Sequence, residues 1–189
     1  MYAPADWVTL VAMGSYIQKE MDHTTYMGGM GTNVRGEFQT SPEGIGDITV
    51  GGIFPVLGVA DRKSEKQQEL NLRAAVSIPT GSNSKTAEIL TPMGATPTIR
   101  TPYMMQIGSG TWDLRPAATF KGWAGKVGYG LQYAGTIRIG TNDQGYSFGD
   151  IHEATAWVSY SPAQWLSLSG RIKGRTMGRV DGIDPMIMG

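Results

Sequence analysis

Leu70-Asn71-Leu72-Arg73-Ala74-Ala75-Val76-Ser77-Ile78 is the stretch that decides the fold class. Leu70, Leu72, Ala74, Val76 and Ile78 recur at every second residue, with Asn71, Arg73, Ala75 and Ser77 between them. Successive side chains of a strand point to opposite faces, so this period gives one apolar and one polar face; a helix would repeat near 3.6. The same alternation runs through 127–139. There Val127, Tyr129, Leu131, Tyr133, Ile137 and Ile139 oppose Gly128, Gly130, Gln132, Ala134, Thr136 and Arg138. It recurs over 166–173, where Leu166, Leu168, Gly170 and Ile172 oppose Ser167, Ser169, Arg171 and Lys173.

Four further segments follow the pattern less strictly. The segment 7–18 is apolar on both faces, and 44–56 groups Ile48, Val50 and Phe54 against Asp47 and Thr49. The segment 110–121 sets Trp112, Leu114, Ala118 and Phe120 against Asp113, Arg115 and Thr119. Pro116 cannot donate to a ladder, which predicts a bulge there. The segment 150–161 sets Ala154, Ala156, Val158 and Tyr160 against Glu153, Thr155 and Ser159. Strands of about 10–13 residues exceed the usual length in globular sheets, and about 9–11 tilted residues cross a bilayer. Tight turns are expected at Pro4-Ala5-Asp6, 122–126 and Ser161-Pro162-Ala163-Gln164, with a charged connection at 57–68. Long loops are expected at 19–43, 80–109 and 140–149. Short turns on one side and long loops on the other are the layout of an all-β, antiparallel, up-and-down transmembrane barrel. Tyr2-Ala3-Pro4-Ala5-Asp6-Trp7 is echoed by Tyr160-Ser161-Pro162-Ala163-Gln164-Trp165, which reads as one hairpin design used twice.

Composition agrees. Only 17% of the 189 residues are charged, against about 25% in ordinary soluble domains, and 27 are glycine. Sixteen basic side chains balance sixteen acidic ones, so the positive footprint of a nucleic-acid binder is missing. With no cysteine there is no disulfide scaffold, thiolate zinc site or cysteine nucleophile. No run of 18 apolar residues marks a membrane helix. The mean hydropathy of -0.20 leaves a membrane barrel open, because barrel strands dilute their apolar residues by alternation.

Four strings carry a family resemblance: Ser41-Pro42-Glu43-Gly44-Ile45-Gly46-Asp47-Ile48, Ser77-Ile78-Pro79-Thr80-Gly81, Gly108-Ser109-Gly110-Thr111-Trp112-Asp113 and Gly135-Thr136-Ile137-Arg138-Ile139-Gly140. They resemble the outer-membrane barrel transporters of the MetA pathway of phenol degradation. The resemblance covers nearly the whole chain. It implies a Gram-negative outer-membrane barrel, a single domain over 1–189, that passes small, often hydrophobic or aromatic, molecules. Family members also carry a leader and further strands at either end. Met1-Tyr2-Ala3-Pro4-Ala5-Asp6 has neither the basic nor the apolar region of a leader, and 174–189 reads as an unfinished loop. The chain is therefore expected to be an interior stretch of a longer barrel, whose missing strands or a partner chain would complete it.

If the apolar faces meet lipid, the opposite faces line a lumen. That places Arg73, Arg115, Arg138, Arg171 and Lys173 inside, with Asp47, Asp113 and Glu153 as partners, because charge at the midplane on the lipid face costs about 2–4 kcal/mol. Such a lining either selects solutes or plugs a narrow barrel. Methionine supplies a second candidate. Met21, His23, Met27 and Met30 gather in the first long loop, and thioether and imidazole ligands suit Cu(I). Copper is the one metal the sequence suggests, although methionine is also an ordinary adaptable apolar residue. A third reading is a soluble lipocalin-like barrel around an apolar ligand. Enzymatic activity is not expected. His23 and His152 are the only histidines, neighbouring His152 and Glu153 point to opposite faces of a strand, and no Gly-x-Ser-x-Gly occurs. Gly28-Gly29-Met30-Gly31 lacks the lysine of a phosphate loop.

Overall fold

A computed structural model describes residues 1–28, 31–58 and 66–187. Strand β1 (Tyr2–Ala5) turns into β2 (Val8–Met13), and the chain then leaves the main sheet. Strands β3 (Tyr16–Gln18) and β4 (Met21–Tyr26) run outward, while β5 (Val34–Thr40) and β6 (Glu43–Ile45) return, so that β3 pairs with β6 and β4 with β5. Strands β7 (Ile48–Leu57) and β8 (Lys66–Ile78) re-enter the sheet. The next excursion carries the small ladder β9 (Thr86–Glu88) with β10 (Thr98–Arg100) and a 3-10 turn at Tyr103–Met105. Then come β11 (Trp112–Leu114), β12 (Ala117–Ala124) and β13 (Val127–Ile139). After β14 (Tyr146–Ser147), the long strands β15 (Ile151–Ala163) and β16 (Leu166–Met177) follow, and β17 (Asp181–Gly182) pairs back onto β14. Every pairing is antiparallel, and no α-helix occurs among the described residues.

The main sheet runs β1-β2-β7-β8, then β11 and β12, then β13-β15-β16. Neighbours in space are successive passes of the chain, which is the up-and-down order that the turn and loop lengths predict. Among the described residues β1 and β16 are not paired with each other, so the sheet is open, with two edges.

Register fixes the two faces. Thr49, Ser77, Asp113 and Arg138 stand opposite one another in a row across four strands. A parallel row holds Asn71, Thr119, Gln132, Thr155 and Lys173. On the other face Leu72, Ala118, Tyr133 and Ala154 form one row, and Leu70, Phe120, Leu131, Ala156 and Ile172 another. The polar face is the sheltered one: Thr49, Ser77 and Asp113 are buried, whereas Leu72, Leu131, Val158 and Ile172 are exposed. This inverts the usual arrangement, in which apolar side chains fill the interior.

Several expectations need correction. Pro116 causes no bulge. Leu114 and Ala117 keep the same three-residue step against β8 and against β13, so the ladder is interrupted without an inserted residue. The Arg115 amide donates to the Ala75 carbonyl (2.8 Å), and the Gly135 amide donates to the Pro116 carbonyl (2.9 Å). The proline thus lacks one donor and keeps its acceptor in use. The segments 7–18 and 44–56 are each broken in two, at Gly14-Ser15 and at Gly46-Asp47. The stretch 19–43 is a hairpin extension rather than a loop, and 174–189 contains the end of β16 and β17. The connection 57–68 lies largely outside the described residues, as does Met30.

The repeated hairpin is real. Tyr2 pairs with Leu10 and Ala5 with Val8; Tyr160 pairs with Leu168 and Ala163 with Leu166. Both hairpins shift register between the tyrosine and the alanine, where Pro4 and Pro162 sit. Proline lacks the amide that an unbroken ladder would need, so the same sequence produces the same irregularity twice.

Candidate functional site

The four strings quoted above converge at the end of the sheet where the long excursions gather. Asp47 ties them together. Its Oδ1 accepts the Gly81 amide (2.9 Å), and its Oδ2 accepts both the amide and the hydroxyl of Ser109 (2.8 Å each). The Thr80 hydroxyl donates to the Gly46 carbonyl and accepts from the Ile48 amide. Gly81 and Gly108 pass so close that a Cβ on either would collide with the other's backbone, so only glycine fits at this crossing. The Thr111 hydroxyl donates to Asp113 (2.8 Å), and Asp113 forms a buried ion pair with Arg138. Backbone Arg138 N–H donates to Asp150 (2.8 Å), and Asn142 donates to the Ser109 carbonyl (3.0 Å). A row of aromatic rings extends the knot. Tyr103 packs on Tyr146, Tyr146 meets Phe148 edge-on, and the Arg138 guanidinium lies 5.7 Å from the Phe148 ring. Arg100 pairs with the buried Asp184 at 2.7 Å and locks the last turn onto this cluster.

Beside the knot lies a cavity of about 340 Å³. Lys19, Arg115, Arg138 and Arg175 supply four cations to its wall; Asp47 supplies the one carboxylate. Ile17, Ile107, Phe148 and Met177 contribute an apolar side. The cations differ in how they are held. Arg138 is paired with Asp113, and the Arg175 Nε lies 3.6 Å from Glu153, which Lys173 also engages at 2.8 Å. Lys19 donates to the carbonyls of Met104 (2.7 Å) and Gln106 (2.6 Å), and burial lowers its pKa below the usual lysine value. Arg115 makes one long contact, to the Thr49 hydroxyl at 3.4 Å, and its Nε is buried without a partner among the described residues.

Register places Arg73, Asp113, Arg138, Glu153, Arg171 and Lys173 on the polar face, while Asp47 and Arg115 sit in the breaks between strands beside it; the eight fall in two groups. Asp47, Arg115 and Arg138 line the cavity, with Asp113 behind Arg138. Glu153, Lys173 and Arg171 lie further along, on β15 and β16. Arg171 stacks over the Trp157 indole at 5.8 Å, a ring that lies where any side chain on Gly130 would have to be. Arg73 sits on the same face, its Nε buried and unpartnered among the described residues. Sequence reasoning missed Lys19, which falls in a segment read as loop, and Arg175, which lies two residues past the expected end of its strand.

The methionine–histidine group is placed elsewhere. Met21 and His23 share one face of β4, two residues apart. The His23 ring stacks on Phe38 at 4.5 Å, and its Nε2 is within 3.1 Å of the Thr40 hydroxyl. Met27 lies in the turn beyond β4, and Met30 is outside the described residues. Among the described residues no three His, Cys, Asp or Glu side chains come together as a metal site.

No curated protein matches the chain. A family model described as "Putative MetA-pathway of phenol degradation" matches residues 20–187, nearly the whole chain and all four converging strings. The chain belongs to that family.

Proposed function

We propose that the protein is a β-barrel channel of the Gram-negative outer membrane that passes small molecules, hydrophobic or aromatic ones among them. The observation that carries this reading is the inverted sheet: Leu72, Leu131, Val158 and Ile172 exposed, and Ser77, Thr49 and Asp113 buried opposite them. In water, each large apolar side chain left exposed forgoes about 1.5–3 kcal/mol of burial, and a contiguous band of them on a soluble monomer promotes aggregation. Against lipid the same band is satisfied, and polar side chains facing inward line a water-filled lumen. A soluble lipocalin-like barrel would instead turn its apolar residues toward the sheltered face.

Three further features support the reading. Strands β8, β13 and β15 have 13 residues each, enough to span a tilted path through hydrocarbon. Tyr2, Trp7, Tyr160 and Trp165 are exposed around the two short turns at one end, as in an interfacial aromatic belt. The family's description links it to phenol degradation, which fits a small aromatic solute.

The test is expression of the protein with an outer-membrane leader in a Gram-negative host, then fractionation and planar-bilayer recording. Recovery in the outer membrane, release only by detergent, and stepwise conductance are expected. Recovery in the aqueous fraction as a stable monomer would overturn the reading.

A further inference from the structure

We propose that the cavity walled by Lys19, Arg115, Arg138 and Arg175 binds the carboxylate of a small organic acid, with the acid's apolar body against Ile17, Ile107 and Phe148. The assignment rests on the channel reading, since it names a solute class for the same polar face.

Four cations and one carboxylate face this space, and the carboxylate is already occupied: Asp47 accepts three hydrogen bonds from Gly81 and Ser109. Asp113 and Glu153 hold Arg138, Lys173 and Arg175. That leaves Arg115 and Lys19 with no carboxylate within ion-pair distance among the described residues. A partly buried cation without a counter-charge is unfavourable, and a bound anion would relieve it. The lowered pKa of Lys19 reflects that same desolvation. Arg115 also offers a buried, unused Nε–H, and guanidinium donors match a carboxylate in two-point geometry.

The cavity's form selects among anions. At about 340 Å³ it is near the lower limit of ligand pockets, about 300–1,000 Å³, and so suits a small molecule. A bare oxyanion would leave Ile17, Ile107 and Phe148 without contact, so the apolar part of the lining favours an acid that carries a carbon body. A monocarboxylate with a ring or short alkyl body uses both halves: charge against Arg115 and Lys19, carbon against Phe148 and the two isoleucines.

The test uses the full chain folded in detergent micelles, with benzoate, phenol and inorganic phosphate as titrants in calorimetry. Benzoate is expected to bind at least tenfold more tightly than phenol, which has the same ring without the carboxylate, and more tightly than phosphate. Arg115→Gln is expected to weaken benzoate binding on the order of tenfold or more, the range of a charge-assisted contact, and to leave phenol unaffected. Lys19→Gln, its fold checked by circular dichroism, provides the second variant and is expected to weaken benzoate binding too. Equal binding of benzoate and phenol, unchanged affinity in Lys19→Gln, or phosphate binding as tight as benzoate would overturn the proposal. Bilayer recording separates the two claims. Conductance without benzoate binding removes the acid site and leaves the channel; benzoate binding without conductance removes the channel and leaves the site.

Discussion

Both carboxylate oxygens of Asp47 are engaged, by donors from the two ends of the excursion between β8 and β11. One residue therefore holds together segments 34 and 62 positions away. Asp47→Ala strands three donors, and hydrogen bonds to a charged acceptor contribute about 1.5–3 kcal/mol each. A loss of about 3 kcal/mol or more is expected, measured as a lower denaturant midpoint, with Asp47→Asn losing less because one acceptor oxygen remains. A second residue-scale effect belongs to Tyr146, which is fully buried and whose hydroxyl is pushed by burial above the usual phenol value. In the unfolded chain that group ionises near about pH 10. The folded chain holds the proton to higher pH, so stability from this group is fully present below about pH 10 and is lost as pH rises through the raised folded value. Melting temperatures between about pH 8 and 11 should fall more steeply in the native protein than in Tyr146→Phe; parallel curves would sink this account. Among the charged residues, parity along the strands was enough to place Asp113, Arg115 and Arg138 on one face. Lys19 was illegible, because its position depends on the β3–β6 and β4–β5 ladders and not on any alternation of its own.

The strands whose bounds could be read from sequence are those with an unbroken apolar alternation. Strand β13 runs from Val127 to Ile139 as its pattern predicts. Strand β8 starts at Lys66, four residues before the alternation begins, because Glu69 and Gln68 pair with Lys121 and Gly122 of β12. Their polar sequence carries no period, and the neighbouring strand imposes the conformation. The same reason hid β4 and β5, whose Met21–Tyr26 and Val34–Thr40 segments have polar residues on both faces. Backbone pairing defines that hairpin, reinforced by the His23–Phe38 stack and by the His23–Thr40 and Gln39–Asp22 contacts across it. Where alternation does exist it makes a directional prediction, since a one-residue slip would exchange the faces. The chain has no cysteine, so single-cysteine variants are free of background. Leu72→Cys, Val76→Cys, Leu131→Cys and Ile137→Cys should react with a membrane-confined thiol reagent, and Arg73→Cys and Arg138→Cys with a water-soluble one. Membrane-confined labelling at 73 and 138 in place of their neighbours would reverse the register of β8 and β13 relative to lipid.

On the scale of the whole molecule, apolar side chains on one face and charged side chains on the other suit lipid and a lumen in the proposed channel, but they leave the sheet's two edges unresolved. Strand β16 is exposed along nearly all its length, and β1, with four residues, is too short to cover a long neighbour. Crossing hydrocarbon takes about 9–11 tilted residues. An unpaired backbone group within hydrocarbon costs several kcal/mol, and an exposed edge in water is a template for pairing with another chain. Either β1 and β16 close on each other, which the described structure does not contain, or strands from outside this sheet must cover them. The charge lining does not help, since ion pairs such as Lys173 with Glu153 connect adjacent strands and do not bridge the gap. The expected behaviour follows from those unpaired groups. Refolded alone in detergent, the 189-residue chain should run on unheated gels as folded oligomers, the open edges of neighbouring copies pairing with one another. Boiling should convert these oligomers to the monomer, and proteolysis should begin at any β16 edge left unpaired. A compact, protease-resistant monomer that shifts on heating would instead show that β1 and β16 meet and the chain closes its own barrel.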